Sequence, residues 1–361
     1  MQKIPLSKSL VDAEVEEAAL RAMRSGQFIL GPECAAFEHE LAAAAGVQHC
    51  GLGSSCTMAM YLLHLAQGLN RGDEVIVPSH TAFPTIEPLL HCGATPVFVD
   101  IDATYCLDVQ QIEPAITPRT VGIIPVHLYG HPADMKAIMR IAEKHKLWVI
   151  EDCAQAHGAT HYENPVGSFG IASAFSFFPS KNVTVLGDGG CICSRDEELV
   201  EKLRMLRNHG RREKYRHEFA GFNVRFNEIQ AAVGRVMLRH LSAFNENRRV
   251  IAARYNQKLA GLVQTPPERP WARAVYHMYV VRAERRNELQ EFLARNYIET
   301  GIHYPIACHQ QPAITSRFKN LLRLPQTEQA VNEILSLPIH GRMTLNEADL
   351  VCDAIARFYG R

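Results

Sequence analysis

The chain has no net charge, no long apolar run and no paired cysteine motif, and each absence removes a class of function. Lys plus Arg and Asp plus Glu are 38 each, so no basic surplus exists to make nucleic acid or an anionic membrane the main partner. No stretch approaches the roughly 20 consecutive apolar residues of a membrane span. The opening M-Q-K-I-P-L-S-K-S-L has no apolar core of signal-peptide length, and the expectation is a cytoplasmic protein. Ten cysteines, at 34, 50, 56, 92, 106, 153, 191, 193, 308 and 352, never take the C-x-x-C spacing of a zinc site or a small disulfide framework. They read as buried thiols in a reducing compartment, Cys191 and Cys193 on one face of a strand, and no metal is expected. Internal repeats and low-complexity segments are also missing.

What is present suits a soluble globular protein. The 361 residues are 47% hydrophobic and 21% charged, enough for a large domain over 1–245 and a smaller one over 246–361. Short apolar runs at 74–78, 95–100, 121–126, 148–152, 172–178 and 190–194 alternate with helical segments at 57–69, 133–146 and 196–208. Further helices are expected at 11–24 and 33–45. Apolar runs without polar alternation, separated by helices, predict an α/β fold with a mostly parallel sheet covered on both faces. Function then belongs at the carboxyl ends of the strands. The longest helical pattern, 227–259, opens with Asn227 and Gln230 in capping-box spacing and bridges the two domains. Beyond the proline-rich 264–270, a strand at 276–282 and helices at 286–296 and 346–358 make a small α+β unit.

The stretch A-S-A-F-S-F-F-P-S-K-N-V-T-V-L-G-D-G-G-C-I-C (172–193) sets one lysine, Lys181, between an aromatic strand and a glycine-rich turn. Burying a lysine as a cation costs several kcal/mol, so a lysine placed there has a use for its amine. Upstream, the apolar run 148–152 ends in Asp152. An acid to hold a pyridine nitrogen protonated and a lysine to carry an aldehyde carbon are what pyridoxal phosphate requires of a protein. A surface lysine and a helix-capping aspartate are the plainer reading of the same two residues. Ahead of them, C-G-L-G-S-S-C-T (50–57) puts small and hydroxyl residues before a helix. Its free N–H groups and the helix dipole suit a phosphate, and an ordinary N-cap is the alternative.

Taken in order, these segments resemble the DegT/DnrJ/EryC1/StrS family of sugar aminotransferases. The resemblance runs through G-D-E-V-I-V-P-S (72–79), G-A-T-P-V-F-V-D-I-D (93–102), P-V-H-L-Y-G (125–130), V-I-E-D-C-A-Q-A-H-G (149–158), F-S-F-F-P-S-K-N (175–182), G-D-G-G (187–190), G-F-N-V-R-F-N-E-I-Q-A-A (221–232) and I-H-Y-P-I-A-C-H (302–309). It implies the type I fold of pyridoxal 5'-phosphate enzymes, with a seven-stranded-type sheet. It also implies transfer of an amino group from glutamate to a nucleotide-linked keto sugar, a 3-keto sugar favoured, through pyridoxamine 5'-phosphate, in amino sugar and polysaccharide biosynthesis. By the same resemblance Lys181 forms the Schiff base and Asp152 pairs with the pyridine nitrogen. Gln155 meets the ring hydroxyl, and Ser55, Cys56, Thr57 and Ser176 hold the phosphate. Asn223 reaches the cofactor of a partner subunit, which makes a homodimer with shared active sites. His303 and Tyr304 lie on the substrate side, and Arg211 and Arg212 either face a nucleotide diphosphate or sit in a solvated loop. His157 is either a proton shuttle or a packed histidine.

Two positions depart from the family pattern: Cys56 stands for a glycine, and Ala82 for the aromatic residue that stacks on the ring, with Phe83 and His80 as the rings nearby. A sugar dehydratase of the same family carries histidine at the lysine position, which Lys181 argues against. A non-catalytic regulatory or binding protein on this fold would be expected to lose Asp152 or Lys181, and both are present.

Overall fold

A computed structural model describes residues 3–9, 11–319 and 322–360. Its centre is a seven-stranded sheet of β1 (His49–Gly53), β2 (Glu74–Pro78), β3 (Thr95–Val99), β4 (Thr120–Ile123), β5 (Trp148–Asp152), β6 (Ala172–Ser176) and β7 (Gly190–Ser194). The spatial order is β1-β7-β6-β5-β4-β2-β3. β7 runs antiparallel to both neighbours, β1 and β6, and the other pairs are parallel. The mostly parallel α/β architecture expected from the apolar runs is therefore the one observed.

Helices cover both faces, and several of them begin at a side-chain cap. α1 (Ala13–Arg24) is capped by Asp12, and acids in its first turn with arginines in its last follow the helix dipole. α2 (Pro32–Ala44) has no such cap of its own. Instead the carboxylate of Glu228 accepts from the N–H groups of Gly31 (2.8 Å), Glu33 (2.9 Å) and Cys34 (2.9 Å). α3 (Cys56–Gln67) follows β1, and α4 (Met135–His145) and α5 (Glu197–Leu206) are capped by Asp134 and Asp196. α6 (Glu228–Leu259) is the long bridging helix. Its first half packs Val233, Val236 and Leu241 with α1 and α2 on one sheet face. Its second half gives Ile251, Tyr255 and Leu259 to a separate core with β8 (Tyr279–Arg282), α7 (Arg286–Arg295), β9 (Ile334–Leu337) and α8 (Leu345–Phe358). The opposite sheet face is filled by α3 and α5.

Three local expectations change. The strand expected through Phe178 ends at Ser176, where the chain turns toward Lys181. The strand expected from Tyr276 begins at Tyr279; Tyr276 has positive φ, and Val275 N–H and Met278 N–H are spent on Gly130 and Tyr129 carbonyls instead. No capping box forms at Asn227. Its amide donates to Gln230 Oε1 (2.8 Å), and Gln230 turns its own amide to Asp188 O in the glycine turn (2.8 Å). Among the described residues, no helix is long and apolar enough to cross a membrane.

Candidate active site

The carboxyl ends of β5 and β6 bring together the two residues on which the sequence reading rests. Asp152 ends β5 and is buried; its Oδ2 accepts from Thr85 Oγ1 (2.7 Å) and its Oδ1 from Ala154 N–H (3.0 Å). Lys181 sits on a tight turn beyond β6, closed by its own N–H to Phe178 O (2.8 Å). Its side chain is partly buried, and among the described residues its amine makes no hydrogen bond and no ion pair. Burial pulls the Lys181 pKa down, and the nearby Asp152 and Cys56 only partly oppose this. A desolvated, unpaired amine holds more of its population uncharged near neutrality, the form in which it is a nucleophile or a base.

Beside the amine lies an anion cradle. Ser55 caps α3 by accepting from Met58 N–H (3.1 Å), and its carbonyl takes Ala59 N–H (2.9 Å). The N–H groups of Cys56 and Thr57 are left without acceptors among the described residues. Opposite them Ser176 pairs with Gly190 across β6 and β7. A Cβ on Gly190 would stand 2.3 Å from Cys56 N, so only glycine lets β7 approach the helix end this closely. The Ser176 hydroxyl accepts from Phe178 N–H (3.4 Å) and keeps its own proton free to donate. Two free N–H groups at a helix N-terminus and a free hydroxyl suit a phosphate. The Cys56 thiol is raised by burial and by Asp152 and lowered by Lys181, so it is protonated beside both.

A hydrogen-bonded belt closes the site. Gln155 Oε1 accepts Tyr129 N–H (2.7 Å) and its amide donates to Tyr304 Oη (3.0 Å). Tyr129 Oη meets His80 Nε2 (2.7 Å) and donates to His303 O. His303 Nδ1 lies 2.9 Å from Ser336 Oγ, and the ring is pushed toward the neutral form by burial and by Lys181. Gln155, His303 and Tyr304 therefore stand with Asp152 and Lys181.

Of the remaining candidates, Asn223, Arg211 and Arg212 lie on the surface, and His157 is near enough to Lys181 to feel its charge. Asn223 is exposed, its Oδ1 accepting from Arg225 Nε (2.9 Å). Arg211 and Arg212 stand on an exposed hairpin (Arg211–Glu213 with Arg216–His217), Arg211 bonded to Asn208 Oδ1 (2.9 Å). His157 packs on Phe175 and Phe177 with neither ring nitrogen bonded. Burial lowers it to about 3, so it is neutral and acts as a packed ring. At the Ala82 position, Phe83 packs into the core beneath α3 and His80 is held by Tyr129.

The sequence reading passed over Thr85, although it lies in the same S-H-T-A-F-P-T segment searched for a stacking ring. It also passed over Asn182, next to the lysine. Asn182 Nδ2 donates to Asn245 Oδ1 (2.8 Å), and Asn182 Oδ1 lies 3.2 Å from His277 Nδ1, which ties the lysine turn to α6 and to the second core. Nothing in the composition of either segment singles these residues out.

Comparison with known proteins follows the same lines. A model described as the DegT/DnrJ/EryC1/StrS aminotransferase family matches residues 10–356. The chain is 43% identical over 352 residues to a dTDP-3-amino-3,4,6-trideoxy-alpha-D-glucose transaminase of Streptomyces venezuelae, covering 97% of this chain and 93% of that protein. It is also 43% identical over 340 residues to a UDP-N-acetyl-3-dehydro-alpha-D-glucosamine 3-aminotransferase of Acidithiobacillus ferrooxidans, covering 93% and 91%. The crystal structure of S. venezuelae DesV superimposes with a TM-score of 0.95 at 41% identity, covering all of both chains.

Proposed function

Because the chain belongs to the DegT/DnrJ/EryC1/StrS aminotransferase family, we propose that it transfers an amino group from glutamate to a nucleotide-linked 3-keto sugar, with pyridoxal phosphate held at the Lys181 end of the sheet. The observation that carries this reading is the grouping of an unpaired, desolvated Lys181 amine, the Asp152 carboxylate and the free N–H groups of α3 at one strand end. The two named relatives differ in nucleotide and agree on the C3 position, which favours a 3-keto sugar.

Bound pyridoxal phosphate supplies an aldehyde that takes up and passes on the amino group and a ring that draws electrons from the neighbouring carbon. The protein's own part is positional and acid–base. Cys56 N–H, Thr57 N–H and the Ser176 hydroxyl hold the phosphate. Asp152, oriented by Thr85 and Ala154 N–H, keeps the ring nitrogen protonated. Lys181 Nζ would hold the aldehyde carbon, and as a free amine it would take the proton from the donor's α-carbon and return one to C3 of the sugar. Gln155, fixed between Tyr129 N–H and Tyr304, would meet the ring hydroxyl.

A second copy completes the site in this reading. Phe178 and Leu186, on either side of Lys181 in sequence, are 51% and 44% exposed, and Phe28 and Ile29 are exposed as well; an apolar surface next to the reacting lysine suits a homodimer. The exposed Asn223 then reaches the partner's phosphate, and Arg211 and Arg212 reach the nucleotide diphosphate.

The test uses the purified, cofactor-loaded protein with ¹⁵N-glutamate and a panel of dTDP- and UDP-linked 3-keto and 4-keto sugars. The expected result is 2-oxoglutarate with ¹⁵N at C3 of the product. Label at C4 only, or no 2-oxoglutarate with any sugar, would overturn the assignment.

A further inference from the structure

On the sheet face packed by α1, α2 and the first half of α6, three cysteines from two strands converge. Cys50 of β1 lies directly opposite Cys193 of the antiparallel β7, and Cys191, two residues along β7, faces the same side. All three are at most 1% exposed. Their sulfurs lie within 4.8 Å of one another, Cys191 Sγ and Cys193 Sγ at 3.8 Å. A metal–sulfur bond of about 2.3 Å in a trigonal plane sets sulfurs about 4.0 Å apart. The triangle is thus already close to what a three-coordinate thiolate ion needs.

A cluster of paired charges stands beside the triangle. Arg204 Nη2 donates to Cys50 O (2.8 Å) and to Glu38 Oε2 (2.9 Å), and Arg207 Nη1 donates to Glu38 Oε1 (2.6 Å). Arg204 also pairs with Glu201, whose side chain is half exposed. Two guanidiniums therefore meet a single buried carboxylate, Glu38. The Nε groups of both arginines have no acceptor. A divalent ion with three thiolates carries a net charge of −1, and the two arginines, set against Glu38 and Glu201, leave the neighbouring cluster without net charge of its own. A second set of ligand types, His127, Glu151 and Cys153, also meets within the same distance, but there both Glu151 oxygens are already taken by backbone N–H groups.

We propose that Cys50, Cys191 and Cys193 form a binding site for a soft, thiophilic d¹⁰ cation in trigonal thiolate coordination, separate from the aminotransferase centre. Each thiol that becomes a ligand gives its proton to solvent, and no oxidant or reductant takes part. β1 is an edge strand of the sheet. Binding to the folded form alone also raises stability by mass action.

The experiment titrates Cd(II) into the reduced, cofactor-loaded protein, following thiolate-to-metal absorption in the ultraviolet and the ¹¹³Cd NMR shift. Expected are one tightly bound ion per chain, a shift in the range of sulfur-only coordination, and affinity at least 100-fold weaker in Cys193→Ser. Cys352→Ser, in the second core, should bind as the parent does. Should Cys193→Ser fail to fold, Cys50→Ala serves the same purpose, and the ¹¹³Cd shift of the unaltered protein needs no variant. A shift typical of nitrogen or oxygen ligands, or unchanged affinity in folded Cys193→Ser and Cys50→Ala, would overturn the proposal.

Discussion

On β5, Glu151 accepts the N–H groups of Gly167 (2.9 Å), Phe169 (2.8 Å) and Gly170 (3.3 Å) and meets His127 Nε2 (3.1 Å). The next residue, Asp152, accepts only from Thr85 and Ala154 N–H and lies on the other side of the strand, near Lys181. Two adjacent buried carboxylates thus do different work because a strand sends neighbours to opposite faces. Glu151 is saturated and holds the loop at 167–170 in place. Asp152 keeps acceptor capacity and a cation nearby. The same contrast separates the buried cations. Arg248 Nη1 is shared by three backbone carbonyls, whereas the Lys181 amine makes no hydrogen bond or ion pair among the described residues. In these two pairs the group bonded to backbone holds structure, and the one with spare capacity faces the site.

The contrast breaks most visibly at the lysine. Lys181→Ala should lower kcat by about 10³-fold or more without lowering the thermal midpoint, since it removes a desolvated cation that no partner stabilises; retained turnover would end the assignment. Next comes the carboxylate pair. Asp152→Asn should lower kcat by about 10²-fold with little change in urea unfolding, and Glu151→Gln should cost about 1–3 kcal/mol of stability with kcat of the folded protein nearly intact. An exchange of those two outcomes would refute the comparison.

Glu228 sharpens it by pH. Burial works to raise its pKa, but the Cys34 thiol and the backbone N–H groups of Cys34, Glu33 and Gly31 outweigh burial and hold it below the ordinary value. A depressed carboxylate contributes stability that is present above its unfolded pKa of about 4.3 and is lost as pH falls through the folded value. Glu228→Gln should cost about 1–2 kcal/mol at pH 7, the range of a lost helix cap, and the gap to the parent should close below about pH 4; urea titrations at both pH values decide it. Smallest is Thr85→Val, which removes one hydrogen bond to Asp152 and should reduce kcat by about 3- to 10-fold, equivalent to about 0.5–1.5 kcal/mol, with KM for glutamate nearly unchanged in steady-state assays.

Much of this was legible because it is local. Apolar runs ending in Asp152 and preceding Lys181 identify strand ends, and a Ser-Ser-Cys-Thr run before a helix identifies its free N–H groups. What escaped depends on residues distant in sequence. The α2 cap comes from Glu228, beyond the sheet altogether. The Asn227–Gln230 pair has capping spacing, yet Gln230 is drawn off by Asp188 O. Cys50 meets Cys193 only because β7 reverses direction beside β1. No spacing rule reports a pairing that the sheet order decides.

The most direct measurement is the absorbance spectrum of the protein supplied with pyridoxal phosphate, before and after glutamate, beside Lys181→Ala. A lysine-bound cofactor band that falls with glutamate, and that the variant never forms, is the predicted result. An unaltered protein that binds no cofactor, or a band equally present in Lys181→Ala, would contradict the role given to the unpaired amine.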